Sequence, residues 1–371
     1  MIAWSRRALD RAAALVQALY LDLLDVRWSG HRAALCAVAT LSTTLATVLA
    51  LLLHLEDVWW ASISGFICTQ ATSPASVRKA ILRIIGTAAG AGAIIALSPL
   101  LVDDPVLITL ALFVASTLGL LGLLVSDHGY AWMLGAVTVD MVLIGSMTDP
   151  DSVLHVGVLR TAEVAVGSLA AVLVAWLAGM EDTSHAEAPP RPGWRHLLDA
   201  QWPAMGHATR AALGIVAVPW VWQWLHVPSQ AQIAVTIAAV MALPAVGADP
   251  QEDQRKLRER GIYRLVGCFL GGIVGLLCLA ISIQSFLPWL LTLGAGIWIS
   301  AHIQASERGT GYIGTQAAVV FIMTLVQGSG PPESLVPGVS RFAGIAGGLL
   351  VLLLVSLLTA PDPAQPAVAR R

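Results

Sequence analysis

The sequence predicts an all-α polytopic membrane protein of about twelve transmembrane helices, arranged as two parallel six-helix repeats. Three observations carry that prediction. Only 12% of the 371 residues are charged and 57% are hydrophobic, where a soluble domain carries roughly 25% charged residues. Apolar runs near the length a bilayer requires, about 17–25 residues, recur at 33–53, 58–72, 81–101, 105–125, 131–147, 158–179, 208–226, 230–246, 262–280, 283–303, 313–327 and 341–359. Finally, GVLRTAEVAVG at 157–167 returns as GVSRFAGIAGG at 338–348, with an arginine in the same place in each.

Taken in order, residues 1–30 predict a cytoplasmic amphipathic helix. Leu9, Ala12, Ala13, Val16, Leu19, Tyr20 and Leu23 share one face, with Arg6, Arg7, Asp10 and Arg11 opposite, the pattern of a helix lying on a membrane surface. No small-residue cleavage site follows a short apolar core, so the segment does not read as a cleavable signal. The first repeat spans 31–180, with its second run short and partly polar. A polar, proline-rich stretch within 181–203 reads as a cytoplasmic linker. The second repeat spans 204–360, with its fifth run (313–327) short, and residues 361–371 form a cytoplasmic tail.

The echo between the halves is long. Leu23-Leu-Asp25-Val-Arg-Trp28 returns as Leu197-Leu-Asp199-Ala-Gln-Trp202, and Arg32-Ala-Ala-Leu35 as Arg210-Ala-Ala-Leu213. Leu53-His54 returns as Leu225-His226, Arg83-Ile-Ile-Gly86 as Arg264-Leu-Val-Gly267, and Gly129-Tyr130 as Gly311-Tyr312. An even number of crossings per unit makes the repeats parallel, which places a site or pore on the pseudo-twofold axis. With both termini inside, every lysine and arginine falls on the cytoplasmic side except Arg160 and Arg341, as the bias of basic residues toward cytoplasmic loops requires.

The net charge of −2 gives nucleic-acid binding no electrostatic support. The four cysteines lie inside apolar runs at no metal-ligand spacing. No nucleotide-binding loop, catalytic triad or metal-ligand cluster stands out, so neither enzymatic activity nor a cofactor or metal is expected.

The short helix around WWASISGFICTQ, a basic turn, Arg83-x-x-Gly-Thr-x-x-Gly90, Gly-Tyr before the fifth helix and an arginine opening the sixth resemble the fusaric acid resistance (FUSC) and aromatic acid exporter family. That family is related to plant aluminium-activated malate transporters. The resemblance covers nearly the whole chain, in two copies. It implies a bacterial inner-membrane transporter of organic or aromatic carboxylates, with a periplasmic adaptor as a partner beside the lipid bilayer. Many bacterial members carry a large cytoplasmic domain where this sequence has a short linker.

In that light, Arg160 and Arg341 are the leading carboxylate-binding residues, since a guanidinium makes charge-assisted, bidentate hydrogen bonds to carboxylates. Snorkelling to headgroups is the other reading of both. Arg83 and Arg264 read either as helix-end snorkellers or as an inner anion-recruiting ring. Gln70 and Gln316, on the short helices, and Tyr130 and Tyr312 complete the expected substrate-binding set. Trp59, Trp60 and the two tyrosines read as an aromatic belt or as stacking surfaces for an aromatic substrate. Asp140 and Glu163 have no acidic counterparts, because Ile322 and Gly344 stand at the matching positions. They read as proton-coupling groups or as counter-charges for Arg160. Gly86, Gly90, Gly267 and Gly271 form small-xxx-small faces for close helix packing. The expected function is proton-coupled export of small organic or aromatic acids, the alternatives being a passive anion channel and a non-transporting membrane scaffold.

Overall fold

The structure, a computed structural model, describes residues 2–101, 104–147, 149–180, 191, 193–195, 202–225, 230–242, 250–281, 285–328, 330–331 and 334–358. Most of the linker, residues 361–371, Asp199 and His226 lie outside the described residues, as do the side chains of residues 1–12.

The described residues are helical almost throughout. Helix α1 is Ile2–Leu24. The first set of six follows: α2 His31–Leu52, α3 Val58–Cys68, α4 Ser73–Leu101, α5 Pro105–Val125, α6 Gly129–Ser146 and α7 Val153–Leu177. The second set is α8 Trp202–Leu225, α9 Gln230–Met241, α10 Pro250–Ala280, α11 Phe286–Gln304, α12 Gly311–Leu325 and α13 Val336–Leu358. Local chemistry sets several ends. Asp104 accepts hydrogen bonds from the Val106 and Leu107 N–H groups at 2.8 and 3.2 Å, with Pro105 in the first turn of α5, the preferred start of a helix.

Eight described helices are long and apolar enough to cross a membrane: α2, α4, α5, α6, α7 (with the turn before it), α10, α11 and α13. Helix α3 has 11 residues and α9 has 12, about 16–18 Å at ~1.5 Å per residue. Neither spans a ~30 Å hydrocarbon core unaided. At the end of α3 the chain leaves the helix with Thr69 extended. Non-helical backbone at membrane depth persists only where protein shields it, and every residue from Val58 to Cys68 except Ile67 is buried.

The two sets share one scheme of neighbours. In the first, α4 packs on α6 and α7, α5 on α6, and α3 on α2 and α7; in the second, α10 packs on α12 and α13, α11 on α12, and α9 on α8 and α13. Between the sets the contacts are reciprocal: α5 on α8 and α11 on α2, α6 on α9 and α12 on α3. The two main apolar clusters follow that exchange. One joins α5 and α6 to α8 and α9, through residues such as Leu112, Leu143, Ile215 and Ile237. The other joins α2 and α3 to α11 and α12, through Cys36, Phe66, Trp289 and Phe321. Each half therefore completes the core of the other, and the body does not divide at the linker.

Helix α1 corrects the surface-helix reading in part. Leu15 and Leu19 pack with Ile303, Ile313, Tyr263 and Val266 of the second set, so Leu19 faces protein. Val16, Tyr20, Leu23 and Leu24 stay exposed. Asp22, fully buried, accepts hydrogen bonds from Ser306 Oγ at 2.6 Å, from Arg308 Nη1 at 2.7 Å and from Thr310 Oγ1. Burial pushes its carboxyl pKa up, but the two hydroxyls and the Arg308 guanidinium outweigh burial and hold it below the usual carboxylate range.

Candidate functional site

The site is built around α3, whose first turn lies at the end of the bundle away from α1. Trp59 and Trp60 open the helix with their ring centroids 3.9 Å apart. They are only 5% and 7% exposed, so they form no lipid-facing belt. Arg160, on α7, lies over the Trp60 ring. Arg341, on α13, lies over the Trp59 ring at 4.7 Å. The repeated arginines thus reach one aromatic pair from opposite halves.

Arg160 is 5% exposed, which excludes the snorkelling reading. Its Nη2 meets Met141 Sδ at 3.7 Å, and its Nε and Nη1 have no partner. Arg341 Nη1 donates to the Met323 carbonyl. Met141 and Met323 occupy matching positions of α6 and α12, so each arginine meets the same part of its own repeat.

The acidic residues are arranged differently from the sequence reading. Glu163 forms no ion pair with Arg160; its Oε1 accepts the Asp57 N–H at 2.8 Å. Asp57 Oδ1 accepts the Trp59 Nε1–H at 2.9 Å, and Asp57 lies within electrostatic reach of both Arg160 and Arg341. Asp140 does not neutralise Arg160 either. It faces the opposite side of α6, where Ser116 Oγ donates to its Oδ2 at 2.9 Å and Oδ1 has no partner. Beside it is a small cavity lined by Ser116, Gly119, Met133, Ile215 and Ala238, among others, where α5 and α6 meet α8 and α9.

Arg83 and Arg264 correct the helix-end reading. Arg83 lies ten residues into α4 and Arg264 fourteen into α10, about 15 and 21 Å from the helix starts. They are 4% and 5% exposed. Arg83 donates from Nε to Ser64 Oγ at 2.9 Å and from Nη1 to Tyr130 OH at 2.7 Å. Arg264 donates from Nη1 to Gln316 Oε1 at 2.5 Å and from Nη2 to Thr236 Oγ1 at 3.1 Å. Tyr312 does not reach Arg264; it lies 4.2 Å under the Arg260 guanidinium. Gln70 takes no part in the hydrogen bonds of Arg83, Arg160, Arg264 or Arg341 and donates to the Ile67 and Thr69 carbonyls, closing the end of α3.

Glycines bring these partners together. A Cβ on Gly86 or Gly90 would collide with the backbone of Ala131 or Gly135 on α6. One on Gly267 or Gly271 would collide with Ile313 or Ala317 on α12. The close approach sets Arg83 beside Tyr130 and Arg264 beside Gln316. Ser64 in turn donates to the Trp60 carbonyl at 2.7 Å, so one turn of α3 links the Arg83 level to the tryptophan pair.

Two residues of these networks, Asp57 and Asp22, escaped sequence reasoning. Asp57 reads as one acid in a polar loop, and its only signal is its place directly before a short, mostly apolar helix. Asp22 is marked by falling three residues after Leu19, on the apolar face it shares. Among the described residues, no group of histidine, cysteine and carboxylate side chains is placed to hold a metal ion.

Residues 36–190 match the sequence profile of the Fusaric acid resistance protein family. The p-hydroxybenzoic acid efflux pump subunit AaeB of Yersinia enterocolitica is 27% identical over 169 residues, 44% of this chain and 25% of that protein. The proteins of the same name from Yersinia pestis and Yersinia pseudotuberculosis are 28% identical over the same lengths. The match thus spans a quarter of the length of these relatives. No solved structure matches the chain. The chain is a multi-pass membrane protein whose first repeat is similar to the fusaric acid resistance protein family.

Proposed function

We propose that the chain is a secondary transporter of the bacterial inner membrane that exports small organic, above all aromatic, carboxylates, with no catalytic step. One observation carries this reading: the buried Arg160 and the partly buried Arg341, from opposite repeats, converge on one tryptophan pair, and among the described residues no carboxylate is bonded to either. A buried cation with unbonded N–H groups is costly in a membrane and marks a substrate path by default. Arg83 and Arg264, held only by neutral oxygens, extend that path toward the α1 end. The Yersinia relatives, each named a p-hydroxybenzoic acid efflux pump subunit, support the same substrate class. The word subunit supports a periplasmic adaptor as partner.

Asp140 is the proposed proton-coupling residue. It is a buried carboxyl with one bonded and one free oxygen, at the seam where the two halves meet. Glu163, held by the Asp57 N–H, is the second candidate. The test is efflux of benzoate and 4-hydroxybenzoate from proteoliposomes with and without an imposed pH gradient. Wild type should respond to the gradient, Arg341→Ala should lose flux, and Asp140→Asn should keep flux but lose the gradient response. Gradient-independent flux in wild type would make the chain a passive channel; no flux of any carboxylate would favour a scaffold.

A further inference from the structure

A duplicated unit predicts two equivalent binding places per chain, and the structure builds one. The register that sets Ser64 opposite Thr236, each bonded to its own repeat's buried arginine, sets Trp59 and Trp60 opposite Ala231 and Gln232. Helix α9 thus has no aromatic pair at the position where α3 has two. Arg341 accordingly reaches across the axis to Trp59 instead of folding over its own short helix. The unpartnered Nε and Nη1 of Arg160, on a side chain 5% exposed, mark the same spot independently. Asp57 and Glu163 border it from the loop before α3 and from α7.

Resting on the reading of the chain as a carboxylate transporter, we propose that Trp59 and Trp60 are its ring-recognition element. They form a single site per chain, to which the first repeat supplies the aromatic surface and both repeats supply the charge. The substrate carboxylate takes hydrogen bonds from the free N–H groups of Arg160, and its ring lies against the indole pair. Flat rings stack offset on indole faces and gain from the adjacent guanidinium groups. A puckered or open-chain acid of equal charge keeps the arginine contact and loses the stacking. A second carboxylate on the ligand would face Asp57 and Glu163, so the site selects monoanions.

The test is calorimetric titration of the full chain in lipid nanodiscs with benzoate, cyclohexanecarboxylate and phthalate. The first two match in charge and carbon number and differ in planarity. Wild type should bind one benzoate per chain, about tenfold tighter than cyclohexanecarboxylate, and phthalate more weakly than benzoate. Trp60→Leu should bring the benzoate preference close to one, Trp60→Phe should retain most of it, and Gln232→Leu should leave it unchanged. Two benzoates per chain, equal affinity for the flat and puckered acids, phthalate bound as tightly as benzoate, or an unchanged preference in a monodisperse Trp60→Leu protein would overturn the inference while leaving carboxylate transport standing. A folded chain that binds no carboxylate would overturn both.

Discussion

The two repeats differ most around the tryptophan pair and least one turn deeper, at Arg83 and Arg264. At the deeper level each buried guanidinium is held by a hydroxyl from the short helix, Ser64 or Thr236, and by an oxygen from the fifth helix of its unit, Tyr130 or Gln316. The partner from the fifth helix has changed chemically, yet the arrangement persists. At the other level the first repeat carries Trp59, Trp60, Asp57, Asp140 and Glu163, while Ala231, Gln232, Ile322 and Gly344 stand at four of the matching places in the second. Duplication has kept the framework of buried cations in both halves and concentrated titratable and aromatic chemistry in one. In the proposed transporter, the second repeat contributes mainly Arg341 and its share of the common core.

The largest test of that asymmetry lies in the arginines. Arg160→Gln removes the side chain with unpartnered N–H groups and should lower carboxylate flux by about 100-fold. Arg341→Gln should cost about tenfold, in keeping with hydrogen bonds to charged groups of ~1.5–3 kcal/mol. Equal losses in proteoliposome transport would restore twofold equivalence.

A second comparison lies within α4. Gly90→Ala forces a methyl into the backbone of Gly135 and should destabilise the protein by about 1–3 kcal/mol. Gly92→Ala meets open space and should be neutral or stabilising by up to ~1 kcal/mol. Thermal unfolding in one detergent reads both, and equal shifts would dissolve the close α4–α6 contact that positions Arg83.

The smallest effect concerns α1, whose buried Asp22 ties it to the second repeat. Because the folded-state pKa is held below the ordinary aspartate value of 3.8, the carboxylate's contribution is full above that value. It is lost as the pH falls further and Asp22 protonates. Amide exchange across Leu15–Leu24 should therefore stay slow at pH 7 and accelerate on acidification below about 3.8. Asp22→Asn should show fast exchange at both pH values; slow exchange at pH 7 in that variant would remove the latch.

Much of this was legible from residue order. The apolar runs coincide with the described helices of the two sets, and the Arg-containing echo aligns them, because hydropathy and helical period are local properties. The positions of Arg83 and Arg264 were legible but their surroundings were not. A basic residue ten or fourteen positions into a helix looks like an interfacial anchor until the packing of α4 on α6 and α10 on α12 closes over it. Asp140 shows the same limit: on paper it is near Arg160, and in the fold it turns toward Ser116, because one helix carries faces to two different neighbours.

What the sequence determined by itself was therefore the all-α membrane class, the duplicated unit and the register between its copies. Each follows from patterns within a few turns of helix and from matches at nearly constant spacing. What the tertiary structure decided was which residues meet: that Arg341 crosses to Trp59 of the other half, that Asp57 comes within electrostatic reach of two arginines, and that each half fills the other's core. Those meetings depend on how helices distant in the chain cross, and small residues such as Gly86 and Gly267 fix the crossings through backbone contacts that no linear pattern records.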